Sequence, residues 1–338
     1  MIIYKEILLF FALSFTLTAC IKYFLKKFKV LDFPNDRGMH RSIVPRGGGL
    51  AIVFSLILFF VLNLNSSSNT DLYAHLIIYV LIFAAIGFLD DLFSISYQPR
   101  LLVQFIGAIY LIFFSFLADF SPSAEVFFIS GFALKFMLVI FFVWFINLFN
   151  FMDGIDGLAT TQAICFFLCS AFLLARYEYQ YPVEDLYIYI SIFCGFLLWN
   201  FHKAKIFLGD VGSITLSILI GIYVLYFLGI DPKLFYAGII LMALFIVDTT
   251  YTLIIRVLRN QSFHSAHNSH AYQNFARKLN SHSLVTCTCI LVNLFFLFPI
   301  ANLLFIFDVN PIFLIICSYV PLLLGCIYLK AGTNITNK

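Results

Sequence analysis

Charge is scarce in this chain. Asp, Glu, Lys and Arg make up only 11% of its 338 residues, where soluble domains carry about 25%. That scarcity excludes an ordinary water-soluble domain. The net charge of +3 is too small to argue for nucleic acid as a partner. Disulfide and zinc frameworks are lacking too. The eight cysteines (Cys20, Cys165, Cys169, Cys194, Cys287, Cys289, Cys317, Cys326) all lie in apolar runs and none forms a CxxC pair, so they read as small hydrophobes. Gly47-Gly48-Gly49 is not followed by GK[ST], which excludes a Walker loop. No basic-headed signal peptide with a small-residue cleavage site is visible, so the first apolar run is expected to persist as a helix. There is no internal repeat, and no loop is long enough for a separate soluble domain.

Apolar sequence is what the chain has in abundance: 62% of residues are hydrophobic and 44 are Phe, with a mean hydropathy of +1.01. Eleven runs are long enough to cross a bilayer: about 4–25, 47–64, 73–90, 100–118, 127–148, 158–176, 185–201, 211–229, 234–257, 284–306 and 310–329. Their apolar character is continuous rather than alternating, which predicts an all-α polytopic bundle and not a barrel. Lys and Arg orient it. Of the 20, sixteen fall in loops on one side and four (Lys5, Lys135, Arg176, Lys233) on the other. The N-terminus is therefore expected outside (periplasmic) and the C-terminus in the cytosol.

Polar motifs gather on that cytosolic side. Asp90-Asp91 ends the third span. Asn150, Asp153 and Asp156 lie between spans five and six. Asn200 ends span seven, Phe207-Leu208-Gly209-Asp210 opens span eight, and His264, His267 and His270 follow span nine. Each has an ordinary alternative: a helix stop, a charge suited to a helix N-terminus, an N-cap, a polar loop. Together, five carboxylates at one membrane surface repel unless a cation or cationic ligand joins them. Carboxylate oxygens suit Mg²⁺ or Mn²⁺, with water and phosphate filling the remaining positions. His267 and His270 are three apart, so on a helix they share a face and can donate to phosphate, with Arg41, Arg46 and Arg100 adding charge. The Gly47–Gly49 run allows close backbone approach, and the helix start after it favours anions. Asp248, inside span nine, either faces the cavity or hydrogen-bonds within the bundle. The residues point to Mg²⁺-dependent phosphoryl transfer between a cytosolic phosphate compound and a lipid. A cation-coupled transporter is the alternative, but its acids would lie near the midplane of broken, repeated helices.

Four elements carry a resemblance: Gly87-Phe88-Leu89-Asp90-Asp91; Asn150-x-x-Asp153-Gly154-x-Asp156-Gly157-Leu158; Asn200 with Phe207-Leu208-Gly209-Asp210-x-Gly212-Ser213; and His267-x-x-His270-Ala271-Tyr272-Gln273. In this order they resemble the polyprenyl-phosphate N-acetylhexosamine-1-phosphate transferases. The resemblance implies a single integral membrane domain over 1–338. Its active site would be built from loops at about 26–49, 88–100, 147–158, 200–213 and 257–283, in a multi-pass protein of the bacterial inner membrane facing the cytosol. It implies transfer of a sugar 1-phosphate from a UDP-N-acetylhexosamine to undecaprenyl phosphate. Mg²⁺ (or Mn²⁺) would be held by Asp210, with Asp91 as second ligand. Asp90 would be the base or would orient the lipid phosphate. Asn150, Asp153, Asp156, Asn200 and Phe207 would bind the nucleotide, Phe207 by stacking on uracil. Arg41, His267 and His270 would bind the substrate's phosphates. A homodimer is the family-level expectation. The His loop resembles that of the O-antigen-initiating enzymes and lacks the His-His-His of the peptidoglycan-precursor branch, although Asn268 stands where Arg is expected.

Overall fold

The computed structural model describes residues 2–34, 42–64, 70–115, 131–179, 183–261 and 267–333. Arg41 and His264 lie outside them. The protein is an all-α polytopic bundle. Its helices are α1 (Ile2–Lys27), α2 (Leu50–Asn63), α3 (Thr70–Phe93), α4 (Tyr97–Phe114), α5 (Gly131–Phe151), α6 (Leu158–Arg176), α7 (Val183–Asn200), α8 (Gly209–Ile230), α9 (Pro232–Leu241), α10 (Ala243–Leu258), α11 (Ala271–Leu279), α12 (His282–Val292), α13 (Phe298–Ile306) and α14 (Pro311–Tyr328). A π-helical turn, Asn293–Leu297, joins α12 to α13 as one continuous rod. The short strands β1 (Leu31–Asp32) and β2 (Val44–Pro45) pair antiparallel ahead of α2.

Among the described residues each of the eleven apolar runs contains helix, but two differ from plain spans. Among the described residues, nine helices are long and apolar enough to cross a membrane, or ten if α9 and α10 count as one. The run at 47–64 yields only the 14 residues of α2, about 21 Å at 1.5 Å per residue against a hydrocarbon core of about 30 Å. Its first three residues are spent on a turn. The run at 234–257 breaks at Met242 into α9 and α10, bent by 62°. No glycine or proline marks the break. Instead Gln162 Nε2 donates to the Leu241 carbonyl at 2.9 Å, and Asn293 Nδ2 donates to Gln162 Oε1 at 2.8 Å. Side chains on α6 and the π-helical turn thus satisfy a carbonyl that the bend releases.

α8 is the central helix, with 83% of its most apolar window buried inside the protein. Small residues, Gly212, Ser213, Ser217 and Gly221, let its neighbours close in. The hydroxyls of Thr215 and Ser217 are satisfied within the helix, on the Val211 and Ile214 carbonyls at 2.7 Å each, as an apolar surrounding demands. Large apolar side chains face outward on the peripheral helices, among them Leu8, Leu102, Phe295 and Leu324. α8 therefore carries Asp210 on its first turn at the axis of the bundle.

Candidate active site

The site forms where α3 and α5 end and α4 and α8 begin. The first amides of α8 have no carbonyl partners within their own helix. Asp91, at the end of α3, supplies the acceptors: Oδ1 takes the N–H of Asp210 at 2.9 Å and Oδ2 that of Val211 at 3.1 Å. Arg46 reaches across the same junction, with Nε 2.6 Å from Asp91 Oδ1 and Nη2 2.7 Å from Asp210 Oδ1. Arg100, in the first turn of α4, pairs with Asp210 Oδ2 at 2.7 Å and with Asp90. Three carboxylates and two guanidinium groups thus form one network. Burial works against the Arg46 charge, yet Asp210, Asp91 and Asp32 outweigh it and raise its pKa above the ordinary arginine value.

The triglycine run makes this junction possible. A Cβ on Gly49 would lie 2.2 Å from the Gly212 Cα, so the starts of α2 and α8 touch backbone to backbone. The amides of Gly48 and Gly49 donate to the Phe207 and Leu208 carbonyls, each at 2.8 Å. Close approach is therefore the role of the run. An anion does not take these two amides, because Phe207 and Leu208 already do.

Above the network lies a cavity of about 330 Å³. Arg46, Arg100, Asn150, Asp153 and Asp210 line one wall, with Phe151 and Gly154 beside Asn150 and Asp153; His267, His270, Tyr272 and Gln273 line the other. Each of the five loop stretches expected to build the site contributes at least one of these residues. The two histidines precede α11 rather than sharing a helical face, and His270 is its N-cap. They stack directly all the same, with ring centroids 4.9 Å apart at 26°, and Phe151 lies over His270 at 6.1 Å. α11 is held from three sides. Tyr272 Oη donates to the Phe151 carbonyl at 3.0 Å, and a Cβ on Gly154 would strike that hydroxyl at 2.1 Å. Asn274 Nδ2 donates to the Leu329 and Lys330 carbonyls, and the Gly332 amide to the Ser269 carbonyl at 2.8 Å. From α10, Asp248 accepts the Ala271 and Tyr272 amides, each at 2.9 Å.

Asp153 and His267, both outside the spans, are strongly perturbed. Burial, then the charge of Asp210, pushes the Asp153 carboxyl well above the usual aspartate range. Burial, then His270 and Arg256, lowers His267 to about 3, so this ring is neutral at pH 7. The Nε2 atoms of both His267 and His270 are buried without a hydrogen-bond partner among the described residues.

The structure divides the expected site residues into two groups. Asn150, Asp153, Asp210, His267 and His270 line the cavity. Asn150 Nδ2 donates to Ser213 Oγ at 2.9 Å. Asp90, Asp91, Asp156, Asn200 and Phe207 stand outside the lining. Asp90 is buried and paired with Arg100. Asn200 spends both ends of its amide on backbone, accepting the Gly157 amide and donating to the Ile206 carbonyl, each at 3.1 Å. Asp156 accepts the Ala204 amide at 3.0 Å and faces His282 at 3.3 Å. The Phe207 backbone bridges Pro45 and Gly48. These residues brace the loops that carry the cavity wall. Arg46 and Arg100 earn more weight than their general assignment as added charge. Arg100 follows the Asp90-Asp91 pair closely in the chain, whereas Arg46 is brought to Asp91 and Asp210 only by the fold, its one local signal being the triglycine run it precedes.

The residues fit a hard divalent cation. Asp210 and Asp153 both present carboxylates to the cavity, and the excess charge that raises Asp153 is what such an ion would offset. Mg²⁺ is held by one or two carboxylates with phosphate oxygens completing its shell. No cage of three or more His, Cys, Asp or Glu exists among the described residues. Asp91 fits less well as a second ligand, because its side chain is fully buried and both oxygens already accept backbone amides.

A polytopic helical bundle with an ionic cavity at one end defines the class: a multi-pass membrane protein with a charged pocket at the ends of its helices. Residues 72–228 match the model of glycosyl transferase family 4. The chain is 27% identical over 326 residues to the undecaprenyl-phosphate alpha-N-acetylglucosaminyl 1-phosphate transferase of Thermotoga maritima, covering 96% of this chain and 98% of that one. It is 29% identical over 284 residues to a probable undecaprenyl-phosphate N-acetylglucosaminyl 1-phosphate transferase of Bacillus subtilis, covering 83% and 79%. It is 31% identical over 235 residues to the phospho-N-acetylmuramoyl-pentapeptide-transferase of Streptococcus uberis, covering 62% and 69%. The chain belongs to glycosyl transferase family 4, in the polyprenyl-phosphate hexosamine-1-phosphate transferase superfamily.

Proposed function

We propose that this protein transfers an N-acetylhexosamine 1-phosphate from a UDP-sugar to undecaprenyl phosphate, at the cytosolic face of the bacterial inner membrane, as the first step of O-antigen or another envelope polysaccharide. N-acetylglucosamine, N-acetylfucosamine and N-acetylquinovosamine are the candidate sugars. One observation carries the reading: Asp153, Asp210, Arg46, Arg100, His267 and His270 line one cavity at one end of an apolar bundle. The named activities of the Bacillus and Thermotoga relatives support it.

The chemistry follows from the wall. An oxygen of the lipid phosphate attacks the phosphorus bonded to the sugar. The phosphorus–oxygen bond to the uridine phosphate breaks, and UMP leaves with the bridging oxygen. The products are undecaprenyl-diphospho-sugar and UMP. A phosphate monoester has its second pKa near 6 and is mostly dianionic at pH 7, so orientation matters more than proton removal. Asp90 serves through Arg100, which it holds at the cavity edge. Arg46 and Arg100 offer guanidinium donors to the pyrophosphate, in the fork geometry suited to phosphate. Asn150 and Asp153 hold the donor on the same wall. Mg²⁺, held by Asp210 with Asp153 at hand, would supply charge neutralisation of the pyrophosphate and the leaving UMP.

The test is UMP release by detergent-purified protein given undecaprenyl phosphate, Mg²⁺ and a panel of UDP-N-acetylhexosamines, with mass spectrometry of the lipid product. One sugar is expected to give the diphospho-lipid, and EDTA to abolish it. Full turnover by Asp210→Ala, or ion flux in liposomes without UMP release, would overturn the reading.

A further inference from the structure

Asp248 sits on α10, beyond the cavity lining, and is only 5% exposed. Its carboxylate is saturated. Oδ1 accepts from Thr252 Oγ1 at 3.0 Å, from the Ala271 amide at 2.9 Å and from His270 Nδ1 at 3.2 Å; Oδ2 accepts from the Tyr272 amide at 2.9 Å. Two of these bonds cap α11, a role open to any buried acid at a helix start. The bond to His270 is different, because that ring lines the cavity. A carboxylate only accepts, so the proton of this bond belongs to His270 Nδ1, where Asp248 holds it against the Gln273 amide that also points at the ring and would favour the opposite tautomer. The tautomer of the ring is thereby set. Its Nε2, buried and without a partner, then offers substrate a lone pair, or in the imidazolium a single N–H, in one fixed direction.

We propose that Asp248 is a positioning residue for the nucleotide-sugar site, acting through His270 by fixing its tautomer and its place between Phe151, His267 and Tyr272. This rests on the transferase reading above and adds to it a residue that the motifs do not contain. The aromatic sandwich, with centroids at 6.1, 4.9 and 5.7 Å, leaves the ring few other orientations. Asp248 selects among them, because only a ring with Nδ1 toward α10 completes its bond. The stacked His267 inherits the same placement.

Asp248→Asn keeps the shape but turns an acceptor into a donor. It is expected to raise KM for the UDP-sugar about tenfold, the loss of one buried hydrogen-bond partner, with a smaller change in kcat. His270→Ala is expected to do the same, and the double variant to be no worse than His270→Ala alone, since Asp248 acts through the ring. Multiplying effects, or wild-type kinetics for Asp248→Asn, would overturn the proposal. Should Asp248→Asn fail to fold, Thr252→Val removes one bond at constant shape. It is then expected to raise KM about threefold in the wild-type background and not beside His270→Ala. A second readout needs no turnover. In ¹⁵N-histidine-labelled protein, His270 must show a protonated Nδ1 in the wild type and lose that signature in Asp248→Asn. If no UDP-sugar releases UMP, the transferase reading fails, while the tautomer still decides the role of Asp248.

Discussion

Replacing Gly49 by alanine adds one methyl group at the point where two helix starts meet. The new Cβ would fall 2.2 Å from the Gly212 Cα and 2.4 Å from its nitrogen, both backbone atoms that no rotamer change can remove. Ordinary contact begins at 3.4 Å, so α2 and α8 must part by about 1.2 Å. Overpacking of this kind costs about 1–3 kcal/mol. The functional cost is larger, because the displaced elements carry Arg46 and Asp210, whose 2.7 Å ion pair lies in the cavity wall. A misplacement of about 1 Å can reduce a reaction by roughly a hundredfold, and that is the expected fall in kcat/KM for UMP release. Gly325→Ala is the control. It lies inside α14 with nothing within 4 Å of its would-be Cβ, and a helix interior favours alanine by about 1 kcal/mol. It should unfold at or above the wild-type temperature and turn over normally. Wild-type turnover and unchanged thermal unfolding for Gly49→Ala would refute the backbone contact on which the site is built.

The remaining predictions separate bracing from binding. Asn200→Ala leaves the Gly157 amide and the Ile206 carbonyl without partners, about 1–3 kcal/mol for a buried group; its unfolding midpoint should drop while KM for the UDP-sugar stays near wild type. Asp153→Asn should do the reverse. Its folded pKa lies above the unfolded value, so its contribution to stability is present at low pH and lost as pH rises. At pH 8 in EDTA the variant should melt higher than the wild type, yet bind the UDP-sugar more weakly. His267 is lowered to about 3 from an unfolded value near 6.5. The unfolded chain therefore binds the extra proton first, and stability present above pH 6.5 is lost as pH falls toward 3. Thermal unfolding between pH 7.5 and 5.5 should show a steeper acid loss in the wild type than in His267→Gln.

Much of the bundle was legible because each apolar run answers to local composition. The break at Met242 was not, since its hydrogen bonds come from Gln162 and Asn293, about 80 and 50 residues away in the chain. The site shows the same division. Motif reading gathered acids and imidazoles at one end of the bundle, but residue type does not say which way a carboxylate faces. Asp91, Asp248 and Asn200 each accept backbone amides at the start of another element. Capping normally comes from the residue before the helix. Here it comes from a neighbouring helix, and no local pattern announces it. Asp153 and Asp210 look no different in sequence, yet they are the ones left facing the cavity.

The tie between Ser269 and Gly332 has a consequence for how the enzyme is made. The histidine wall gains its last anchor when Leu329, Lys330 and Gly332 bind back to Asn274 and Ser269. Asp210 precedes Gly332 by 122 residues in the chain, which at about 5–20 residues per second takes the ribosome roughly 6–24 s. A chain that has grown only as far as Asp210 has its acidic wall but not the contacts that complete the opposite one, so the cavity reaches its final shape only after Gly332 has been added.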